Sequence, residues 1–152
     1  EVRRLAESGR FDYLLIESTG ISEPLPVAAT FDFRDEYGDS LSDVACLDTM
    51  VKVVDVVNLL RDYSSHDFLH DRDETMEDED NGSRVHLLTD QIEFADAVIL
   101  NKVSNAETHK VEAARKIIRS LNADARIIET NHYDVDADSV LDTGLFNCEK
   151  AH

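Results

Sequence analysis

The sequence predicts an α/β fold in which helices cover both faces of a mostly parallel sheet, and three observations predict it. Short apolar runs recur along the chain, at residues 11–16, 50–57 and 96–101. Apolar residues then return at helical spacing on otherwise polar stretches. Strands alternating with helices in this way make βαβ units, whose crossovers lay helices on a parallel sheet.

The elements follow in order. Residues 1–8 read as the end of a helix already under way, stopped by Gly9, so the sequence looks cut at its front. Phe-Asp-Tyr-Leu-Leu-Ile at 11–16 reads as a strand buried on both faces. Residues 18–23 form a polar turn, and Pro24 opens a short helix to about Phe33, since proline suits a first helical turn. Residues 34–43 are a loop. Met-Val-Lys-Val-Val-Asp-Val-Val at 50–57 is the strongest strand signal, being rich in β-branched residues.

A polar excursion follows at about 61–83. It carries eight carboxylates between Asp67 and Asp80 and reads as a flexible acidic insertion within one domain, 1–152. Val85, Leu88, Ile92 and Ala95 then make one stripe of an amphipathic helix. Residues 96–101 are another buried strand. Val111, Ala114, Ile118 and Leu121 repeat the helical stripe, 126–130 give a last strand, and 137–141 a short helix.

The 152 residues suffice for one domain with a real core, and 42% of them are hydrophobic. No apolar run reaches the length that spans a bilayer. A formal net charge of −18 argues against nucleic acid and against an anionic membrane surface, because their phosphates would be repelled. Cys46 and Cys148 stand apart with no Cys-x-x-Cys spacing, which suggests a reducing, cytoplasmic setting. Cys46 reads as a small buried hydrophobe.

In parallel α/β sheets, ligands bind beyond the carboxyl ends of the strands. The runs end at Glu17-Ser18-Thr19-Gly20, at Asp55 and at Asn101-Lys102-Val103-Ser104, all polar residues of kinds that nucleotide sites use. Phe-Asp-Tyr-Leu-Leu-Ile-Glu-Ser-Thr-Gly-Ile-Ser-Glu-Pro resembles the Walker B and switch segment of the CobW family (CobW/HypB/UreG-like). Val53-Val54-Asp55 resembles that family's Val-Asp strand end, and residues 91–102 resemble its helix, strand and guanine-recognition segment. Residues 127–130 and the closing Leu145-Phe146 follow the same order. Four motifs in order on correctly typed elements are specific where each alone is weak.

The resemblance implies a three-layer P-loop NTPase-like (Rossmann-like) domain, represented here by the part after the Walker A loop and so truncated on its N-terminal side. It implies a protein that binds GTP and Mg²⁺, hydrolyses GTP, and hands a metal, zinc or cobalt, to a client metalloprotein. By that pattern Glu17 is the catalytic carboxylate, orienting the attacking water or holding Mg²⁺ through a water, since phosphoryl transfer needs placed charge more than covalent chemistry; a carboxylate capping the next turn is the alternative. Gly20 would let its backbone approach a γ-phosphate; an ordinary turn glycine is the alternative.

Asn101 and Lys102 match the first half of the tetrad Asn-Lys-x-Asp. Ser104 stands where that pattern has Asp, and a hydroxyl cannot accept in bidentate fashion as a carboxylate does. Ser104-Asn105-Ala106-Glu107 also reads as a capping box opening the next helix. His66, His70 and Asp71 are weak metal-ligand candidates beside a solvated acidic loop.

The Walker A pattern and a Cys-x-Cys-Cys motif do not occur in this sequence, so turnover is not expected from the chain alone. The competing reading is a non-catalytic acidic α/β module that docks a partner or buffers divalent metal. If the strand leading into Walker A is missing, residues 11–16 and 50–57 are expected to pair directly or to receive a strand from another copy (a homo-oligomer by strand exchange), in preference to leaving a gap.

Overall fold

The computed structural model describes residues 1–70 and 79–146. Helix α1 (Val2–Glu7) is followed by Gly9 at φ +60°, the left-handed backbone in which a helix commonly ends. Helix α2 (Pro24–Asp32) starts at a proline, as its sequence predicts, and buries Ala28 and Phe31. Strand β1 (Val51–Asp55) runs into α3 (Val56–His70), and α4 (Glu79–Glu93) precedes β2 (Ala97–Asn101). Helix α5 (Thr108–Leu121) and β3 (Arg126–Glu129) complete the main elements.

The sheet is fully parallel, in the order β1-β2-β3, with Asp55 opposite Asn101 and Leu100 opposite Glu129. The α/β class and the parallel sheet expected from the sequence hold. Central β2 is buried at nearly every position, which explains why its run lacks alternation. Its first residues are pinned at Asp96. The Asp96 carboxylate accepts from the Met50 N–H at 2.9 Å, and its carbonyl accepts from the Arg126 N–H at 2.9 Å.

One core joins Val54, Val98 and Leu100 of the sheet to Val56 and Leu59 of α3, Ile92 of α4, and Val111, Ala114 and Ile118 of α5. Leu59, Ile92, Leu100 and Ile118 are each no more than 1% exposed, and such burial contributes roughly 1.5–3 kcal/mol per side chain. Those three helices therefore share the face that Val54 presents. Residues alternate across a strand, so Val51 and Val53 lie on the other face, where they remain 40% and 45% exposed.

Asn122 ties the end of α5 to the end of α4. Its Nδ2 donates to the carbonyls of Ile92, Glu93 and Ala95 at 3.0, 2.9 and 2.8 Å, and its Oδ1 accepts from the Ala125 N–H at 3.0 Å. One amide thus satisfies carbonyls that the α4 terminus would otherwise leave unpaired.

Several expectations are corrected. Residues 11–16 form no strand, and Phe11, Tyr13, Leu14, Leu15 and Ile16 are 45–86% exposed. Apolar content alone does not make a strand. The run needs a ladder, and among the described residues β1 pairs only with β2. Direct pairing of 11–16 with 50–57 therefore does not occur among the described residues.

Val56 and Val57 belong to α3 rather than to the strand. The Asp55 carboxylate accepts from the N–H groups of Val57 and Asn58 and turns the chain into helix there. Cys46 is exposed, not buried. Residues 137–139 make a 3₁₀ turn in place of the longer helix expected. Asp71 and the side chains of His66 and His70 lie outside the described residues.

Candidate functional site

The carboxyl ends of β1, β2 and β3 lie side by side because the three strands are parallel and in register. Beyond them, Asn101, Lys102, Ser104, Asn105, Asn131, His132 and Tyr133 line a pocket of about 100 Å³. Of the sequence-predicted residues, Asn101, Lys102 and Ser104 meet here. Asp55 joins them from β1 through Lys102, whose Nζ lies 2.6 Å from Asp55 Oδ2.

Electrostatics fix this pair in its charged form. Partial burial pushes the Asp55 carboxyl up. The Lys102 ammonium and the N–H groups of Val57 and Asn58 outweigh that and hold it below the usual carboxylate range. The Asp55 carboxylate in turn raises Lys102 above the usual lysine range.

Asn101 is 1% exposed. Its Oδ1 accepts from the Tyr133 N–H at 3.3 Å, while its Nδ2 is buried without a partner among the described residues. A buried donor left unpaired costs roughly 1–3 kcal/mol. Backbone strain gathers at the same rim. Lys102, His132 and Tyr133 adopt φ of 62°, 55° and 60°, and they are three of the four non-glycine residues with positive φ among those described. Such conformations cost about 1–3 kcal/mol each and cluster at ligand sites.

Ser104 is exposed; its N–H donates to Asn131 Oδ1 at 2.8 Å, joining the β2 and β3 loops. The capping box expected at Ser104 is absent. A 3₁₀ turn (Val103–Asn105) intervenes, the Ser104 hydroxyl lies 3.5 Å from Asn105 Oδ1, and Glu107 occupies the N-cap of α5. The extra turn places the serine over the pocket rather than at the helix start.

Glu17 and Gly20 are not among the lining residues. Glu17 lies exposed on the segment before Thr19. The Gly20 carbonyl accepts from Gln91 Nε2 at 3.1 Å, and a Cβ at Gly20 would meet nothing within 4 Å, so this conformation does not itself demand glycine. Among the described residues, no group of three or more His, Cys, Asp or Glu side chains is placed to hold a metal.

Sequence reasoning missed Asn131, His132 and Tyr133. The signal was available, because they follow β3 and the rule about strand ends applies to a third strand as much as to the first two.

Residues 1–129 match the family model described as the CobW/HypB/UreG nucleotide-binding domain. Three similar proteins bear the name zinc-regulated GTPase metalloprotein activator 1. The one from Dictyostelium discoideum is 43% identical over 152 residues, covering 99% of this chain and 32% of its own length. The Schizosaccharomyces pombe protein is 32% identical over 149 residues, 95% of this chain and 30% of its own. The one from Saccharomyces cerevisiae is 30% identical over 144 residues, 91% and 32% respectively. The chain thus spans about a third of the length of these relatives. No solved structure matches it.

Proposed function

The chain belongs to the CobW/HypB/UreG nucleotide-binding family, and from that premise we propose that it supplies the base-recognition and switch segments of a GTP-binding, GTP-hydrolysing domain. The whole protein would couple GTP hydrolysis to delivery of a metal, zinc or cobalt, to a client metalloprotein. The similar proteins are named as zinc-regulated activators of metalloproteins, which supports a role in metal handling. A cytoplasmic site of action fits this reading, and no helix among the described residues is long and apolar enough to cross a membrane.

The observation that carries the proposal is that Asn101, Lys102 and Ser104 line one pocket at the carboxyl end of β2. A guanine base offers ring-nitrogen and carbonyl acceptors to the polar side chains of that pocket. The Lys102 stem would lie along the base while its ammonium stays on Asp55. Ser104, at the fourth tetrad position, presents a hydroxyl to the guanine edge. Asn131 and Tyr133 brace these residues from the β3 side through their bonds to Ser104 and Asn101.

Glu17 is the proposed catalytic acid, orienting the attacking water, and Gly20 would give its backbone to the terminal phosphate. Mg²⁺ characteristically takes one or two carboxylates together with nucleotide phosphates, so a single exposed Glu17 fits that donor set without a protein cage. When bound, the ion would neutralise charge developing between the β- and γ-phosphates.

The test is calorimetry of GTP and ATP against the full-length protein in Mg²⁺ buffer, with Asn101→Ala alongside. The proposal expects GTP binding that the substitution weakens by about tenfold, a typical loss for one well-made buried hydrogen bond. No binding of either nucleotide would favour the non-catalytic acidic module.

A further inference from the structure

Gln91 bridges three segments far apart in sequence. It lies on α4, near its C-terminal end, and its Oε1 accepts from Lys52 Nζ of β1 at 2.5 Å. Its Nε2 donates to two carbonyls of the loop after the Glu17-Ser18-Thr19-Gly20 run, Gly20 at 3.1 Å and Ser22 at 2.8 Å. Lysine can only donate, so its ammonium dictates which way the amide faces. With Oε1 held by Lys52, both Nε2 hydrogens are left for the loop, and both are used.

Among the described residues, no other hydrogen bond joins residues 17–22 to the rest of the chain. Residues 11–16 have no ladder, and a Thr19 to Ser22 hydroxyl contact at 3.1 Å and a backbone turn between the same residues are internal to the loop. Partial burial also pushes Lys52 below its usual range, as expected for an ammonium drawn in from solvent to meet a single amide oxygen.

We infer that Gln91 is a positioning residue that latches the loop at 20–22 to β1 and α4, with Lys52 orienting the latch. Resting on the functional reading above, the latch sets where Glu17 and Gly20 stand relative to the nucleotide while leaving base recognition at Asn101 and Lys102 alone.

Gln91→Glu in the full-length protein is the informative variant. It keeps size and an acceptor for Lys52, and loses only the donor to the two carbonyls, which the new carboxylate repels. Hydrogen exchange is read on the Ser22 amide, whose N–H donates to the Thr19 carbonyl at 2.9 Å inside the latched loop, with the amides of β2 as the control for global folding. The expected result is exchange on the order of tenfold faster at Ser22, in line with losing the two hydrogen bonds that hold its loop, and unchanged in β2. Lys52→Met should give a smaller increase in the same place, because the amide stays but is free to turn.

In GTP hydrolysis, kcat should fall several-fold with KM for GTP unchanged. Equal exchange at Ser22 in Gln91→Glu and the natural protein overturns the latch. So does a rise in KM with kcat intact. If the full-length protein hydrolyses no GTP, the functional reading fails while the exchange comparison still decides whether the latch exists.

Discussion

The Lys102 ammonium lies 2.6 Å from the Asp55 carboxylate and straps together the carboxyl ends of two neighbouring parallel strands. Asp55 also caps α3 through Val57 and Asn58, so one carboxylate ends a strand, starts a helix and holds a residue of the candidate site. Lys102 sits in left-handed backbone at φ 62°.

Asp55→Ala removes both roles and should destabilise the fold by about 1–2 kcal/mol from the lost cap. Asp55→Asn should cost less, since an amide oxygen can still accept from Val57 and Asn58. Urea unfolding of the two variants, compared with the natural protein, checks the order.

The pair also has a pH signature. The Asp55 carboxyl is lowered in the folded state, so its share of stability is present above the ordinary carboxylate range and is lost as pH falls through the lowered folded value. Lys102 is raised, so its share is full below the ordinary lysine range and lost only as pH climbs past its raised folded value. The Tm gap between the natural protein and Asp55→Asn should therefore be flat through neutral pH and close only in strong acid or strong base. A gap that changes around neutrality would point to a different partner for Asp55.

Asn122→Ala should be among the more damaging single changes, at about 2–3 kcal/mol. It strips the donor from three carbonyls at the end of α4 and the acceptor from Ala125, in a setting where Asn122 is only 9% exposed. Chemical denaturation gives the number, and a loss under about half a kcal/mol would mean water replaces the amide there.

Ser104→Asp in the full-length protein should sharpen preference for GTP over ATP by roughly tenfold or more, because charge-assisted hydrogen bonds contribute about 1.5–3 kcal/mol. Competition between the two nucleotides measures it. An unchanged ratio would mean that Ser104 does not face the base, and that its N–H contact with Asn131 is its whole contribution.

Much of this was legible in the sequence, for identifiable reasons. Helical stripes at Val111, Ala114 and Ile118 and the unbroken run of β2 are local patterns, and local patterns decide buried elements. Asn101, Lys102 and Asp55 were legible because strand ends in a parallel sheet are predictable places for polar side chains. Residues 11–16 misled because a strand is a property of a pair, and their apolar content says nothing about whether a neighbour is in reach. Asn131 to Tyr133 and Gln91 were missed for a related reason. Their importance lies in bonds to residues about 27 to 71 positions away, which no window of sequence displays.

The most direct measurement is GTP affinity of the full-length protein, natural and Lys102→Ala, beside that of this 152-residue chain. The chain contains no Gly-x-x-x-x-Gly-Lys-[Ser/Thr] to offset phosphate charge, so it should bind GTP more weakly than micromolar. The natural full-length protein should bind at micromolar affinity or better, and Lys102→Ala should lose about tenfold or more of it. Full-length binding indifferent to Lys102 would contradict the assignment of the β2 end as the base-recognition site, and micromolar binding by the isolated chain would contradict the need for a phosphate-binding loop that this sequence does not contain.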